Sequence, residues 1–241
     1  LLHSVISAFG VIANLADDMR HLQRSEIREV GEAFGKNEYG KIILHVEWET
    51  YDAIDDSLEG NITVEYYDDG KWVKKILLVD NKNWTDNGIR DFDISKYDVE
   101  DGRYRLLIIA EDDAGNVASV YSQNFTIDTQ PPYLSVIRPS IGYVYINLFG
   151  RDVLPPIPSV GIAYDVIIIG RITIEISATD AHSGIQRVLL KIDDKQPVPL
   201  GYPYQTEWDP TLGIHSLTVI AEDVAGNTKT VEIEKILCLN I

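Results

Sequence analysis

Cysteine and methionine are almost missing from this 241-residue chain, with one of each, and 21 basic side chains face 38 acidic ones. The lone Cys238 excludes an intrachain disulfide framework and any CxxC-based zinc or redox site. A net charge of −17 excludes a protein that binds by cradling phosphates, because nucleic acid and anionic lipid both require basic patches. No apolar run reaches the ~18–20 residues that span a bilayer, so no transmembrane segment is evident. Catalytic signatures are missing too. His3, His21, His45, His182 and His215 show no HxH, HxxxH or HExxH spacing, and neither a GxSxG elbow nor a phosphate-binding glycine loop occurs. The expectation is a protein that is not an enzyme and whose stability comes from packing.

What is present leans toward strands. Ile (31 residues) outnumbers Leu (20), and 13 Tyr add to the β-branched and aromatic share. The acidity is concentrated: residues 37–130 carry a net −12, against −1 for 1–36 and −4 for 131–241.

Residues 1–34 have a period of their own. Leu2, Val5, Ile6, Phe9, Ile12, Leu15 and Met19 recur every three or four residues, and Ile27, Val30 and Phe34 extend the pattern toward Gly35. This spacing predicts an amphipathic helix in an N-terminal segment, 1–36. The first sixteen residues resemble a truncated signal sequence without a basic n-region. From Lys41 onward short alternating runs predict strands, as in Ile172-Thr173-Ile174-Glu175-Ile176, and Asp68-Asp69-Gly70 predicts a tight hairpin turn. Thr129-Gln130-Pro131-Pro132 marks a boundary between units 37–130 and 131–241, since two prolines remove backbone donors and stiffen the connection.

An internal repeat supports two units. Gly102 to Val120 aligns without gaps on Gly213 to Val231, with 10 of 19 positions identical. In each copy a buried strand runs into Glu-Asp-x-Ala-Gly-Asn and then into a second strand, the pattern of a hairpin whose glycine takes positive φ. The fold class expected is mostly β, two tandem sandwiches behind an N-terminal helix.

In residues 131–237, Ser177-Ala178-Thr179-Asp180 with Ser183-Gly184-Ile185, Tyr204-x-x-x-Trp208-Asp209 and Ala221-Glu222-Asp223-x-Ala225-Gly226-Asn227 resemble the Ig-like domains of bacterial and archaeal surface and secreted proteins. Residues 37–130, with Trp48, Tyr66-Tyr67-Asp68-Asp69-Gly70 and Tyr104, resemble fibronectin type III domains. The alignment starts the first unit at what is usually its second strand. The groove left open would be covered by the N-terminal helix or by a strand from another subunit.

The resemblance implies an extracellular, cell-surface protein with a structural or adhesive role. Self-association as an S-layer, pilus or fibre, or contact with other surface proteins, is the specific form of that reading. Accessory domains of a secreted hydrolase such as a subtilisin-like protease, and a carbohydrate-binding module, are the alternatives. Three kinds of candidate site follow. Asp112, Asp113, Asp180 and Asp223 cluster carboxylates at loop ends, as calcium requires. Asn61, Asn83 and Asn124 open N-glycosylation sequons. Trp84, in a polar loop, is the candidate ligand contact, while Trp48 and Trp72 read as packing residues.

Overall fold

A computed structural model describes residues 24–29, 33–51, 58–81, 84, 87–148, 151–159 and 163–239. Among the described residues there is no α-helix, and therefore none long and apolar enough to cross a membrane. The chain divides into two compact units, Leu1–Gln130 and Pro131–Ile241.

The first unit contains β1 (Arg24–Glu29), β2 (Ala33–Phe34), β3 (Ile43–Tyr51), β4 (Glu59–Asp68), β5 (Lys71–Val79), β6 (Asn87–Asp93), β7 (Gly102–Glu111), β8 (Val117–Tyr121) and β9 (Phe125–Ile127). One sheet has the order β1-β3-β6, and the other β2-β9-β7-β4-β5 with β8 also on β7. Strand alternation explains the core between them. Leu44, Val46 and Trp48 of β3 meet Ile62 and Val64 of β4 and Leu106 and Ile108 of β7, while His45, Glu47 and Glu49 take the other face. Each such aliphatic side chain contributes about 1.5–3 kcal/mol on burial. The expected turn joins β4 to β5, with Asp69 at φ 41° and Gly70 at φ 81°, the backbone of a two-residue hairpin loop.

Tyr104 shows how a polar tip is kept in that core. It is fully buried, its ring lies 6.0 Å from Phe125 and 5.0 Å from Tyr66, and its hydroxyl donates to the carbonyl of Glu100 at 2.7 Å. A strand tyrosine bonding back to the corner it has just left is a recurring device of Ig-type sandwiches.

The start of the unit corrects an expectation. The groove beside β3 is filled neither by a helix nor by another subunit, because β1 of the same chain pairs with it, Arg24 opposite Tyr51 through Glu29 opposite Glu47. β2 then crosses to the other sheet and runs parallel to β9. The rest of the predicted helix falls on 1–23 and 30–32, outside the described residues. The unpaired edge of β3 outweighs the helical spacing over 24–34, since a row of unmet donors and acceptors is costly.

The second unit contains β10 (Tyr133–Arg138), β11 (Tyr143–Leu148), β12 (Arg151–Asp152), β13 (Ile157–Pro158), β14 (Val166–Ile169), β15 (Ile172–Thr179), β16 (Ile185–Ile192), β17 (Val198–Leu200), β18 (Gln205–Trp208), β19 (Gly213–Asp223) and β20 (Thr228–Leu239). A three-stranded sheet, β10-β15-β18, faces a larger one ordered β12-β11-β14-β20-β19-β16-β17, with β13 on β11. The core includes Ile172, Ile174, Val188, Leu217, Val219 and Trp208. Cys238 is fully buried among them, and burial, reinforced by the charge of Asp193, pushes its thiol up to about 12, so it behaves as a small apolar side chain.

Replacing Tyr104 by Phe removes only the bond to Glu100. The expected result is a loss of about 1 kcal/mol in the unfolding of the first unit. Denaturant unfolding followed at the Trp48 and Trp84 indoles reads it, and an unchanged midpoint would show that the bond contributes nothing.

Candidate functional site

The repeated sequence block folds into the same hairpin twice. Between β7 and β8, the Asn116 backbone N–H donates to Asp112 Oδ1 and the Asn116 side-chain amide to Asp112 Oδ2, both at 2.7 Å. Between β19 and β20, Asn227 makes the same two bonds to Asp223, at 2.8 and 2.9 Å. The chain closes beneath each pair: Asp112 N–H donates to the Asn116 carbonyl, and Asp223 N–H to that of Asn227, at 3.1 Å in both. Gly115 at φ 85° and Gly226 at φ 89° make the reversal that brings each Asn back over its Asp. Both Asp residues are buried, and a buried carboxylate is tolerated when its oxygens accept hydrogen bonds.

Beside the second hairpin stands the Asp180 turn. Asp180 Oδ1 accepts the backbone N–H groups of His182 (3.0 Å), Ser183 (2.9 Å) and Gly184 (2.7 Å). Burial works to raise its pKa, but these backbone donors outweigh burial and hold the carboxyl below the usual range. Gly184 in turn accepts from Val224 at 3.0 Å, which ties this turn to the hairpin tip. The second unit thus brings carboxylate oxygens of Asp180 and Asp223 within 4.8 Å of one another. Asp112 and Asp113 lie in the first unit. Two carboxylates that already accept amides are a small part of the six to eight oxygens that Ca²⁺ takes.

The other candidates are dispersed. Trp84 is half-buried and packs on the first core, its ring 6.3 Å from Trp48. Trp72 pairs across the β4–β5 hairpin with Tyr67, rings 5.0 Å apart. Asn61 lies in mid-strand on β4, Asn124 is exposed in the loop before β9, and Asn83 lies outside the described residues.

Two charged clusters lacked a sequence signature. On the outer face of the first unit, Arg105 bonds Glu65 at 2.7 Å, and its guanidinium lies 4.3 Å from the Trp72 ring and 3.8 Å from that of Tyr121. In the second unit, His215 Nδ1 faces Asp193 Oδ2 at 2.8 Å and Nε2 faces the Thr211 carbonyl at 2.9 Å, with the ring edge-on to Trp208 at 5.6 Å. Carboxylate and carbonyl only accept, so this arrangement favours the doubly protonated ring, in which both nitrogens donate. Burial disfavours that charge, yet the Asp193 and Thr211 oxygens outweigh it and raise the pKa. An Asp in one turn and a His near the start of a strand 22 residues on carry no local signal, because only the folded β16–β19 pairing brings them together.

Residues 165–219 match the family described as bacterial Ig domain. No curated protein matches the sequence. Among solved structures, the fibronectin(III)-like modules of Clostridium thermocellum CbhA are similar at 16% identity, over 87% of this chain and 90% of that one, with a TM-score of 0.39. A 1.5-MDa bacterial ice-binding adhesin, in a structure concerned with host cell surface retention, is similar at 14% identity, over 93% of this chain and 76% of that one, with a TM-score of 0.34. The family match supports an Ig-like reading of the second unit, and each unit packs two β-sheets around its own core.

A raised His215 pKa makes stability pH-dependent with a definite sign. The contribution is fully present below the ordinary imidazole value of ~6.5 and is lost as pH rises through the folded value. Titration of the His215 ring by NMR should give a midpoint above that ordinary value, and His215→Gln should flatten the loss of second-unit stability above it. A midpoint at or below the ordinary value would contradict the geometry.

Proposed function

We propose that this chain is a structural or adhesive component of a cell surface, built from the segment 1–36 and sandwiches over 37–130 and 131–241, and that it works by presenting folded faces to its own copies or to other surface proteins. The observation that carries this reading is the hairpin built twice, once in each sandwich. Duplication of a scaffold element, with its reactive groups turned inward, serves repetition of a module and not the assembly of a reaction centre. Asp112 and Asp223 are buried and bonded to their own loops, and Cys238 is an inert core residue. The bacterial Ig match over 165–219 supports a surface or extracellular location. The concentration of negative charge in 37–130 supports a solvated, mutually repelling exterior there.

Of the two sequons whose Asn lies within the described residues, Asn124 is the one for which a glycan fits the folded chain, because it is exposed in a loop whereas Asn61 is held within strand β4. Mass spectrometry of the proteolytic peptide that carries Asn124, from protein of the native source, should show a glycan that Asn124→Gln removes. An unmodified peptide would refute it.

Labelling of intact native cells with a membrane-impermeant amine reagent tests the location. The chain should be modified at its exposed lysines, such as Lys71 and Lys74, before lysis. Labelling only after lysis would overturn the reading.

A further inference from the structure

In a sandwich, one face of each sheet meets the core and the other meets water, so the outer face is expected to be polar. The first unit follows this rule over most of its larger sheet, with Leu77, Leu107 and Ile109 as aliphatic exceptions. Its larger sheet covers its outer face with Glu65, Arg105, Arg103 and the rings of Tyr67, Trp72 and Tyr121. Its edge strand β5 carries Lys71, Lys74 and Lys75 and two register shifts, which guard against strand addition.

The second unit departs from the rule at one end of its larger sheet. There β11, β14 and β20 run parallel, Val144 beside Ile167 beside Leu237, and Ile146 beside Ile169 beside Leu239. The alternate residues Tyr145, Ile168 and Cys238 are buried in the core, so both named rows face outward. The first row continues at either end. Leu237 pairs with Ile214, which is 60% exposed, and Val144 with Ile157, which is 41% exposed. Farther across the same face, β19 and β16 bring in polar pairs, Glu222 on Arg187 and Thr218 beside Lys191, on either side of Ile220 beside Leu189.

We propose that this aliphatic outer face is where two copies of the chain pair, face to face about a two-fold axis. The inference rests on the self-association proposed above and names its contact. Three observations select a second copy as the occupant. Parallel strands with apolar residues on both faces occur where both faces are covered, and the cover must be apolar and must follow the sheet's twist. The same face of another copy meets both conditions by symmetry. The rows contain no charged side chain and lie in the unit with −4 of the chain's −17, so two copies approach there against little of their mutual repulsion, and a charged partner has nothing to bind. Eight positions, five in one row and three in the other, cover roughly 260 Å² in plan. That is about a third of the ~800 Å² that each partner of a standard interface buries, so the rows form its apolar centre and a polar rim supplies the rest.

The test is sedimentation equilibrium of the full chain at about 100 μM, where a contact with Kd of about 10 μM is well populated. The wild type and a Thr230→Glu control, placed on the polar part of the same strand, should show the mass of two 27.1 kDa chains. Ile167→Glu and Leu237→Glu should show one. Ile214→Glu, at a side chain already largely exposed, gives the same reading if the other two misfold, and circular dichroism identifies any that do. A wild type that remains monomeric overturns both the face and self-association. Association that survives the folded variants overturns the face alone and leaves self-association standing. Association that Phe9→Glu abolishes while Ile214→Glu does not would assign the contact to the N-terminal segment and overturn the pairing.

Discussion

Each sandwich depends on a buried carboxylate that can be satisfied in only one register. Asp112 and Asp223 are 6% and 0% exposed, and each is held by the backbone and side-chain amides of an Asn four residues on. A strand slip by one residue would leave a buried charge without its donors, at a cost of several kcal/mol. The same slip would turn every aliphatic side chain of β7 or β19 from the core to solvent. The turn and the core therefore specify the same alignment. Without disulfides, that agreement does the work that a covalent bridge between sheets does in other sandwiches of this kind.

Once the central hairpins are fixed, the neighbouring strands differ between the units, and so do the surfaces. In the first unit, β4 and β5 extend the sheet with an outer layer of arginine stacked on aromatic rings, a face that is complete in itself. In the second, the chain adds β11 and β14 in parallel beyond β20 and leaves aliphatic rows on the outside. The duplicated element is scaffold, and the difference between the units lies in what each scaffold shows to its surroundings. On this account function resides in the surfaces, and the charged groups of the interior, including His215 on Asp193, position loops.

Much of the architecture was legible in the sequence because it depends on local pattern. The alternation of β3 and β15, the Asp69-Gly70 turn and the Asp-x-Ala-Gly-Asn block each declare themselves within a few residues. The strand at Arg24–Glu29 did not, because its pairing is dictated by the edge of β3, and the helical spacing of Leu2 to Phe34 ran across it. The parallel strands left a trace in the unbroken runs Val166–Ile169 and Ile236–Leu239, but an apolar run alone does not distinguish a strand covered on both faces from a core strand near a chain end. The candidate carboxylates read as equivalent loop-end groups. Folding separates them into two hairpin clamps, at Asp112 and Asp223, and an Asp180 turn, and the partners that distinguish them are backbone amides, which a sequence does not display.

Native-state hydrogen exchange at Asn116 and Asn227 tests the register claim most directly. If the clamped carboxylates fix the hairpins, these two amides exchange only when their own unit unfolds, as slowly as the core amides of Ile108 and Val219. Exchange at the rate of the neighbouring turn amides of Ala114 and Ala225 would contradict the account, because the hairpins would then open without disturbing the sheets they are held to align.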